Sequence, residues 1–391
     1  MSARKSAITR TVWILSIVSL FTDVASEMLY PIMPVYLQKI GFSVALIGLL
    51  EGFAEATAGL SKGYFGRWSD SSGKRLPFVQ LGYLLSGISK PLLAVSIIPI
   101  WVFLCRTMDR FGKGIRTGAR DALLSAEATQ ENKGAIFGLH RSFDTLGAAI
   151  GPTIALIYLY VHPEAYIHLF LISLIPGLLA VLGTRLIAKK ETPSTNHKPP
   201  SWQHIISYWK DGSSQYRKIV LGFLLFALIN SSDVFLLLRC KDVGFSDTYM
   251  IGMFILYNLV YALTSYPLGK VADQFGLKRV FILGLAVFSF VYLASAFVET
   301  TVQFGVIFAV YGVYSAATYG ISKAWISKLV PNSETGAAMG TYAGLQSVCA
   351  MLASTWAGFV WYQWGAQAMF IATSLLALGV VGYFLFNRTN T

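Results

Sequence analysis

A ten-residue stretch, GRWSDSSGKR from Gly66 to Arg75, recurs later in the chain as GKVADQFGLKR from Gly269 to Arg279. The two copies begin 203 residues apart. Two further landmarks follow almost the same offset: Gly41-Phe42-Ser43 returns as Gly244-Phe245-Ser246 at 203, and GAIFG at Gly134 returns as GAAMG at Gly336 at 202. Three landmarks in almost one register predict that the chain consists of two similar halves.

The composition indicates a membrane protein. Of the 391 residues 55% are hydrophobic and only 13% are charged, whereas soluble domains have about a quarter charged residues. A membrane-spanning helix needs about 20 apolar residues. Twelve runs satisfy this requirement: 11–37, 44–65, 76–97, 100–119, 134–160, 165–187, 219–240, 247–270, 279–298, 302–326, 336–361 and 365–386.

The positive charges predict the orientation. The net charge of +12 comes from short Lys/Arg clusters in alternate loops, which is not the single patch expected of a nucleic-acid-binding protein. The asymmetry places both termini in the cytoplasm, and the first apolar run is expected to be retained as a helix. The Pro-containing stretch 188–218 predicts a cytoplasmic linker between an N-terminal bundle, 1–187, and a C-terminal bundle, 219–391.

The repeated stretch resembles the loop signature of the major facilitator superfamily, a family of membrane transporters. The matching residues are Gly66, Asp70, Gly73, Lys74 and Arg75 in the first copy, and Gly269, Asp273, Gly276, Lys278 and Arg279 in the second. The resemblance implies an all-α fold of twelve transmembrane helices in two six-helix bundles related by a pseudo-two-fold axis. The motif is expected to act as a latch, because glycine permits close helix approach and Asp caps a helix or pairs with a basic group.

Three further motifs resemble those of the twelve-helix proton-coupled drug and metabolite antiporters. Gly147, Gly151 and Pro152 in predicted helix 5 match the GxxxGP antiporter motif, although its second glycine pair is Ala155-Leu156 here. Arg110, followed by Gly114, looks like the helix-4 arginine that the family links to proton transfer. The segment Tyr30 to Pro34 resembles the PxxP end of helix 1 in these exporters.

Several charged residues fall within predicted spans, where a charge costs several kcal/mol unless it is paired or faces water. Predicted helices 1 and 2 each contain two acids four residues apart. Such acids either pair with basic residues as structural contacts or titrate near neutral pH. We take Asp23 or Glu27 as the proton carrier, tuned by Arg110. The candidate proton-coupling residues are Asp23, Glu27, Glu51, Glu55, Arg110 and Asp144.

The substrate site is expected near the middle of the membrane, with contributions from both halves. The offset of 203 aligns Glu27 with Asn230 and Tyr30 with Asp233, so the second half retains polar groups without the pair of acids. Tyrosines around them suit an organic substrate of mixed polarity. The candidate substrate-binding residues are Tyr30, Lys90, Arg106, Asn230, Asp233, Tyr257, Tyr261, Tyr311 and Tyr314.

The resulting hypothesis is a secondary transporter that exports a small organic molecule in exchange for protons by alternating access. Its partners are expected to be the substrate, protons and the lipid bilayer, with no nucleic acid. It is expected as a monomer in a bacterial inner membrane. The alternative is proton-coupled uptake of an organic anion or siderophore-like metabolite, with Lys90, Arg106 and Arg110 binding the anion. A more distant alternative is a non-transporting receptor or scaffold. No enzyme motif, metal site or cofactor site is expected, since the sequence contains no metalloprotease, nucleophile-elbow or P-loop motif.

Overall fold

The computed structural model describes residues 8–30, 32–42, 44–187 and 208–386, and these ranges contain fifteen helices and no strand. The first eight helices are α1 (Arg10–Glu27), α2 (Met33–Lys39), α3 (Val44–Ser71), α4 (Arg75–Leu92), α5 (Pro99–Glu127), α6 (Lys133–Val161), α7 (Tyr166–Ile172) and α8 (Leu174–Thr184). The others are α9 (Tyr208–Asp211), α10 (Ser214–Ala227), α11 (Val234–Asp242), α12 (Asp247–Phe275), α13 (Leu277–Ser295), α14 (Thr301–Leu329) and α15 (Thr335–Phe386).

Each of the twelve predicted spans coincides with one or two of these helices, so the all-α fold class is confirmed. Predicted helices 1, 6 and 7 are each divided into two shorter helices: α1 and α2, α7 and α8, and α10 and α11. Predicted helices 11 and 12 form α15, which is interrupted at Gly365 with a φ of 84°. Among the described residues, six segments are long and apolar enough to cross a membrane by length and composition alone. Other predicted spans are not among these six because their helices carry more charge, as α5 does, or are shorter, as α10 and α11 are with 14 and 9 residues.

Repeated glycines of the sequence occupy equivalent backbone conformations. Gly41 and Gly244 have φ values of 93° and 98°, and Gly73 and Gly276 have φ values of 67° and 98°. Positive φ is strained for residues with a side chain but accessible to glycine. The repeat therefore preserves the residues that allow the chain to turn between consecutive helices.

The chain divides into two compact units. Unit 1 comprises Met1–Thr129, Phe143–Asp211 and Val330–Gly344, and unit 2 comprises Gln130–Ser142, Gly212–Leu329 and Leu345–Thr391. In unit 1, α3 and α4 pack on α5, and α1 and α4 pack on α8. In unit 2, α12 and α13 pack on α14. The proposed boundaries of the two bundles at the linker stay a prediction.

Candidate functional site

Two of the divided helices are interrupted at equivalent positions of the repeat. Residues 28–32 separate α1 from α2, and residues 228–233 separate α10 from α11. Tyr30 and Asp233, which the offset of 203 aligns, both lie in these interruptions. Interrupted helices in corresponding positions of two transporter repeats point to the binding region. The two interruptions therefore direct attention to the polar residues around them.

In unit 1, two carboxyl groups from different helices lie in contact. Asp23 of α1 and Asp144 of α6 approach closely enough for their carboxyl groups to share a hydrogen bond. The hydroxyl of Ser19, one turn before Asp23, donates to Asp144 Oδ1 at 2.6 Å. Two ionised carboxylates offer acceptors only, so a hydrogen bond between them contains a proton. The pair therefore has the chemistry to hold one proton between its two carboxyl groups.

Glycines of the helix-5 motif bring these two helices together. A Cβ atom placed on Gly147 would lie 2.5 Å from the carbonyl oxygen of Leu20 and 3.0 Å from Cβ of Asp23. A Cβ atom on Gly151 would lie 2.7 Å from the carbonyl oxygen of Val24. The distances to the two carbonyl oxygens are too short for a Cβ atom, and small residues are what permit such close helix approach. The motif thus sets the separation at which the two carboxyl groups meet.

Two cations of α5 act on the carboxyl pair. Lys113 interacts electrostatically with Asp23, and Arg120 interacts with Asp144. Arg120 also donates to the hydroxyl of Ser19 at 3.4 Å. The sequence suggested Arg110 as the tuning residue. Arg110 lies beside another acid of the same helix, Asp109, and its tuning role stays a prediction.

A second charged group lines a recess formed by α1, α4 and α5. Lys90 Nζ lies 2.8 Å from Asp109 Oδ1, and both side chains are buried. Arg106 and Arg110 flank the same carboxylate. The recess brings together five sequence-predicted site residues, namely Glu27, Tyr30, Lys90, Arg106 and Arg110. It therefore joins candidates for proton coupling with candidates for substrate binding.

Unit 2 contains the other predicted substrate residues. The hydroxyl of Tyr311 donates to Asp233 Oδ1 at 2.7 Å, and the rings of Tyr257 and Tyr311 lie 5.0 Å apart. The side-chain amide of Asn230 donates to the hydroxyl of Tyr319 at 3.3 Å. Six predicted residues are thus gathered in one cluster: Asn230, Asp233, Tyr257, Tyr261, Tyr311 and Tyr314.

Comparison with known proteins establishes the family. A family model of the Major Facilitator Superfamily matches residues 15–256 and 240–391. The chain belongs to the Major Facilitator Superfamily. It is 30% identical over 380 residues to an uncharacterized MFS-type transporter of Methanocaldococcus jannaschii, covering 95% of this chain and 93% of the relative. It is 23% identical over 388 residues to a protein of Lactococcus lactis named as a homolog of the multi-drug resistance efflux pump PmrA, covering 94% and 92%.

Solved structures of the superfamily share the fold. The human organic anion transporter MFSD10 superposes with a TM-score of 0.80 at 16% identity, covering 96% of this chain and 99% of that one. The Escherichia coli fucose:proton symporter FucP superposes with a TM-score of 0.74 at 15% identity, covering 97% and 98%. This chain is therefore a multi-pass membrane transporter with the twelve-helix fold of the superfamily.

In both copies of the superfamily's loop signature, the Asp caps the first turn of another helix. Asp70 accepts a hydrogen bond from the backbone N–H of Ala337 at 2.8 Å and pairs with Arg75 at 2.8 Å. Asp273 accepts a hydrogen bond from the backbone N–H of Gly134 at 2.9 Å. These amides lie in the first turns of α15 and α6, where a carboxylate satisfies unpaired N–H groups and favours the helix dipole.

The glycines of the signature make the same contact in both copies. A Cβ atom on Gly66 would clash with the carbonyl oxygen of Gly336, and one on Gly269 would clash with that of Gly134. Each Asp therefore caps a helix whose backbone the preceding glycine already touches. Asp70 also lies beyond the predicted membrane span 44–65, and burial raises its pKa to about 6.

For two further candidates the structure describes only the helix. Glu51 and Glu55 belong to α3, but their side chains lie outside the described residues. The candidate lists from the sequence omit six residues that lie in these groups: Ser19, Asp109, Lys113, Arg120, Arg141 and Tyr319. For Ser19 a signal was present, because it lies four residues before Asp23 and so on the same helix face.

Proposed function

We propose that this chain is a proton-coupled transporter that exports a small organic molecule by alternating access. The observation that carries the proposal is the hydrogen-bond contact between Asp23 and Asp144. Ionisable residues within membrane spans are costly and mark proton and substrate pathways. The shared proton lowers the charge of the pair. Its release leaves a charge that Lys113 offsets, together with Arg120, which also pairs with Asp121 at 3.1 Å. Loading and unloading this proton supplies the coupling step.

Two observations support export. Gly147 and Gly151 of the antiporter-like motif lie against α1, so this motif adjoins the proposed proton site. Relatives that align with most of the chain are named as multi-drug resistance efflux pumps, in Lactococcus lactis and in Streptococcus pneumoniae. We place the transporter in the inner membrane of a bacterium, as a monomer with both termini in the cytoplasm.

The test uses everted vesicles from bacteria that express the protein. Respiration acidifies the vesicle interior, and a fluorescent amine dye reports the proton gradient. Compounds chosen because they stabilise the purified protein against heat are then added outside, which is the cytoplasmic face. An antiporter moves protons out of the vesicle as it carries the compound in. The interior becomes less acidic, so dye fluorescence recovers. Recovery should disappear in Asp144→Asn and persist in Asp242→Asn, a matched change at an acid that pairs with Arg239 on α11.

A second candidate function is proton-coupled uptake of an organic anion. The recess of unit 1 favours it, because three basic residues, Lys90, Arg106 and Arg110, lie there with two acids, Asp109 and Glu27. Arginine and lysine are the side chains that bind carboxylate and phosphate groups. In right-side-out vesicles a symporter would carry protons inward with the anion, and everted vesicles would show no recovery on addition of the compound. That pair of results would support uptake and contradict export.

A further inference from the structure

The residues around Asp233 form a site with unusual chemistry for a membrane interior. Asp233 precedes α11, at the interruption of predicted helix 7. The hydroxyl of Tyr311 donates to its carboxylate at 2.7 Å, and the hydroxyl of Tyr257 also bonds to it. The rings of both tyrosines are buried. A carboxylate is therefore held by neutral donors from α12 and α14.

Aromatic rings extend from this carboxylate in a continuous series. Ring centroids of Tyr257 and Tyr261 lie 5.9 Å apart, and those of Tyr261 and Tyr319 lie 6.1 Å apart. On the other side, the rings of Tyr311 and Tyr314 lie 5.1 Å apart. Aromatic faces carry negative electrostatic potential, which attracts cations. A carboxylate with several such faces around it is the environment expected for a positively charged nitrogen.

The protein already places a cation against these faces. The guanidinium carbon of Arg141, from the first part of α6, lies 4.9 Å from the ring centroid of Tyr261 and 5.5 Å from that of Tyr319. Its Nε donates to the hydroxyl of Tyr261 at 2.5 Å. Arg141 also interacts electrostatically with Asp233. The cluster thus has the dimensions to seat a planar cation.

A hydrogen-bond acceptor remains available on Asn230, whose amide bonds to the hydroxyl of Tyr319. Oδ1 of Asn230 is buried and receives no hydrogen bond from the residues that the structure describes. Burying an acceptor without a donor costs about 1–3 kcal/mol. A ligand with N–H donors would satisfy this oxygen, whereas a ligand with only acceptors would leave it unpaired.

We propose that the cluster of Asp233, Asn230 and the surrounding tyrosines binds a protonated nitrogen of the transported molecule, either an ammonium or a guanidinium group. The incoming group takes the place next to Tyr261 and Tyr319 that Arg141 occupies in this structure. This inference rests on the proposed transport function and names its substrate class as organic cations.

The experiment measures equilibrium binding of tritiated benzylguanidinium to the purified full-length protein in detergent, with no proton gradient. Asp233→Asn should lower the affinity at least about tenfold, because charge-assisted hydrogen bonds are lost. Arg141→Gln should raise the affinity, because it removes a competing cation. Asp242→Asn should leave binding unchanged. If Asp233→Asn does not fold, Tyr311→Phe, which removes the hydroxyl bonded to Asp233, should lower the affinity severalfold, with Tyr249→Phe as its matched control.

Phenylacetate, an anion of similar size, tests the opposite interpretation, in which the cluster binds anions. If phenylacetate binds in place of benzylguanidinium and Arg141→Gln abolishes that binding, the cluster is an anion site and the proposal is overturned. Failure of benzylguanidinium to bind, or equal affinities in Asp233→Asn and Asp242→Asn, would overturn it as well. This assay uses no gradient, so its outcome is independent of proton coupling. Binding of benzylguanidinium can fail while Asp144-dependent proton exchange in vesicles succeeds, and binding can succeed while that exchange fails.

Discussion

At the scale of single residues, buried charges of unit 1 pair with partners on other helices. Lys90 of α4 meets Asp109 of α5 at 2.8 Å, and Ser19 of α1 meets Asp144 of α6 at 2.6 Å. Pairing matters because an uncompensated charge in a membrane interior is expensive. The sequence predicted which residues are charged and buried. It did not predict these pairs, because the residues that meet lie up to 125 positions apart. Helical spacing predicts only which residues of one helix share a face.

The Lys90–Asp109 pair predicts an asymmetric response to mutation. Lys90→Met should destabilise the protein by about 3 kcal/mol, because it leaves a buried carboxylate without its nearest cation. The additional change Asp109→Asn should restore most of the lost stability. Thermal unfolding in detergent measures both. Lys39→Met is the control, since its exposed pair with Glu164 should contribute less than about 1 kcal/mol. Equal effects of Lys90→Met and Lys39→Met would contradict the role of burial.

Asp70 predicts a pH dependence of stability. Burial raises its pKa to about 6, although Arg75 and the N–H of Ala337 act to lower it. The unfolded pKa is about 3.9. An acid with the higher pKa in the folded state contributes stability below the unfolded value, and this contribution is lost as the pH rises to about 6. The unfolding temperature of wild type relative to Asp70→Asn should therefore fall between about pH 4 and pH 6. A flat difference over this range would show that Asp70 ionises normally.

At the scale of helices, the sequence located all twelve spans because apolar runs of sufficient length separate clearly from charged loops. It missed the interruptions at residues 28–32 and 228–233. Proline at positions 31 and 34 and the polar run from Asn230 to Asp233 were signals for them. Apolar length alone is insensitive to such breaks, because the flanking residues stay hydrophobic. The glycine motif was more informative, because its small residues predicted a close approach between two helices.

Two glycine substitutions test that steric argument. Gly147→Ala should destabilise the protein by about 1–3 kcal/mol, because the new Cβ overlaps the backbone of α1. Gly379→Ala on α15 should be neutral or stabilise by up to about 1 kcal/mol, because its Cβ enters open space and alanine favours helices. Thermal unfolding of both variants in one detergent compares them directly. Equal tolerance at the two positions would mean that α1 and α6 are not held at close range.

At the scale of the whole molecule, the two halves have diverged while retaining the repeat. Unit 1 contains the carboxyl pair and the Lys90–Asp109 group, and unit 2 contains the Asp233–tyrosine cluster. The family and the helix count were predictable, because the loop signature occurs twice in one register. The chemistry of the transported molecule was not, because in our proposal it depends on how distant tyrosines and Arg141 surround one carboxylate. Side chains that meet only after folding determine that specificity.

The measurement that tests the central claim most directly compares two modes of transport in proteoliposomes. A labelled compound that restores fluorescence in the everted vesicles is followed first in exchange without a gradient, and then in accumulation driven by a pH gradient. Asp144→Asn imitates the protonated acid and cannot release a proton. We predict that it retains exchange and loses gradient-driven accumulation, while Asp242→Asn retains both. Accumulation by Asp144→Asn at the wild-type level would contradict the assignment of proton coupling to the Asp23–Asp144 pair.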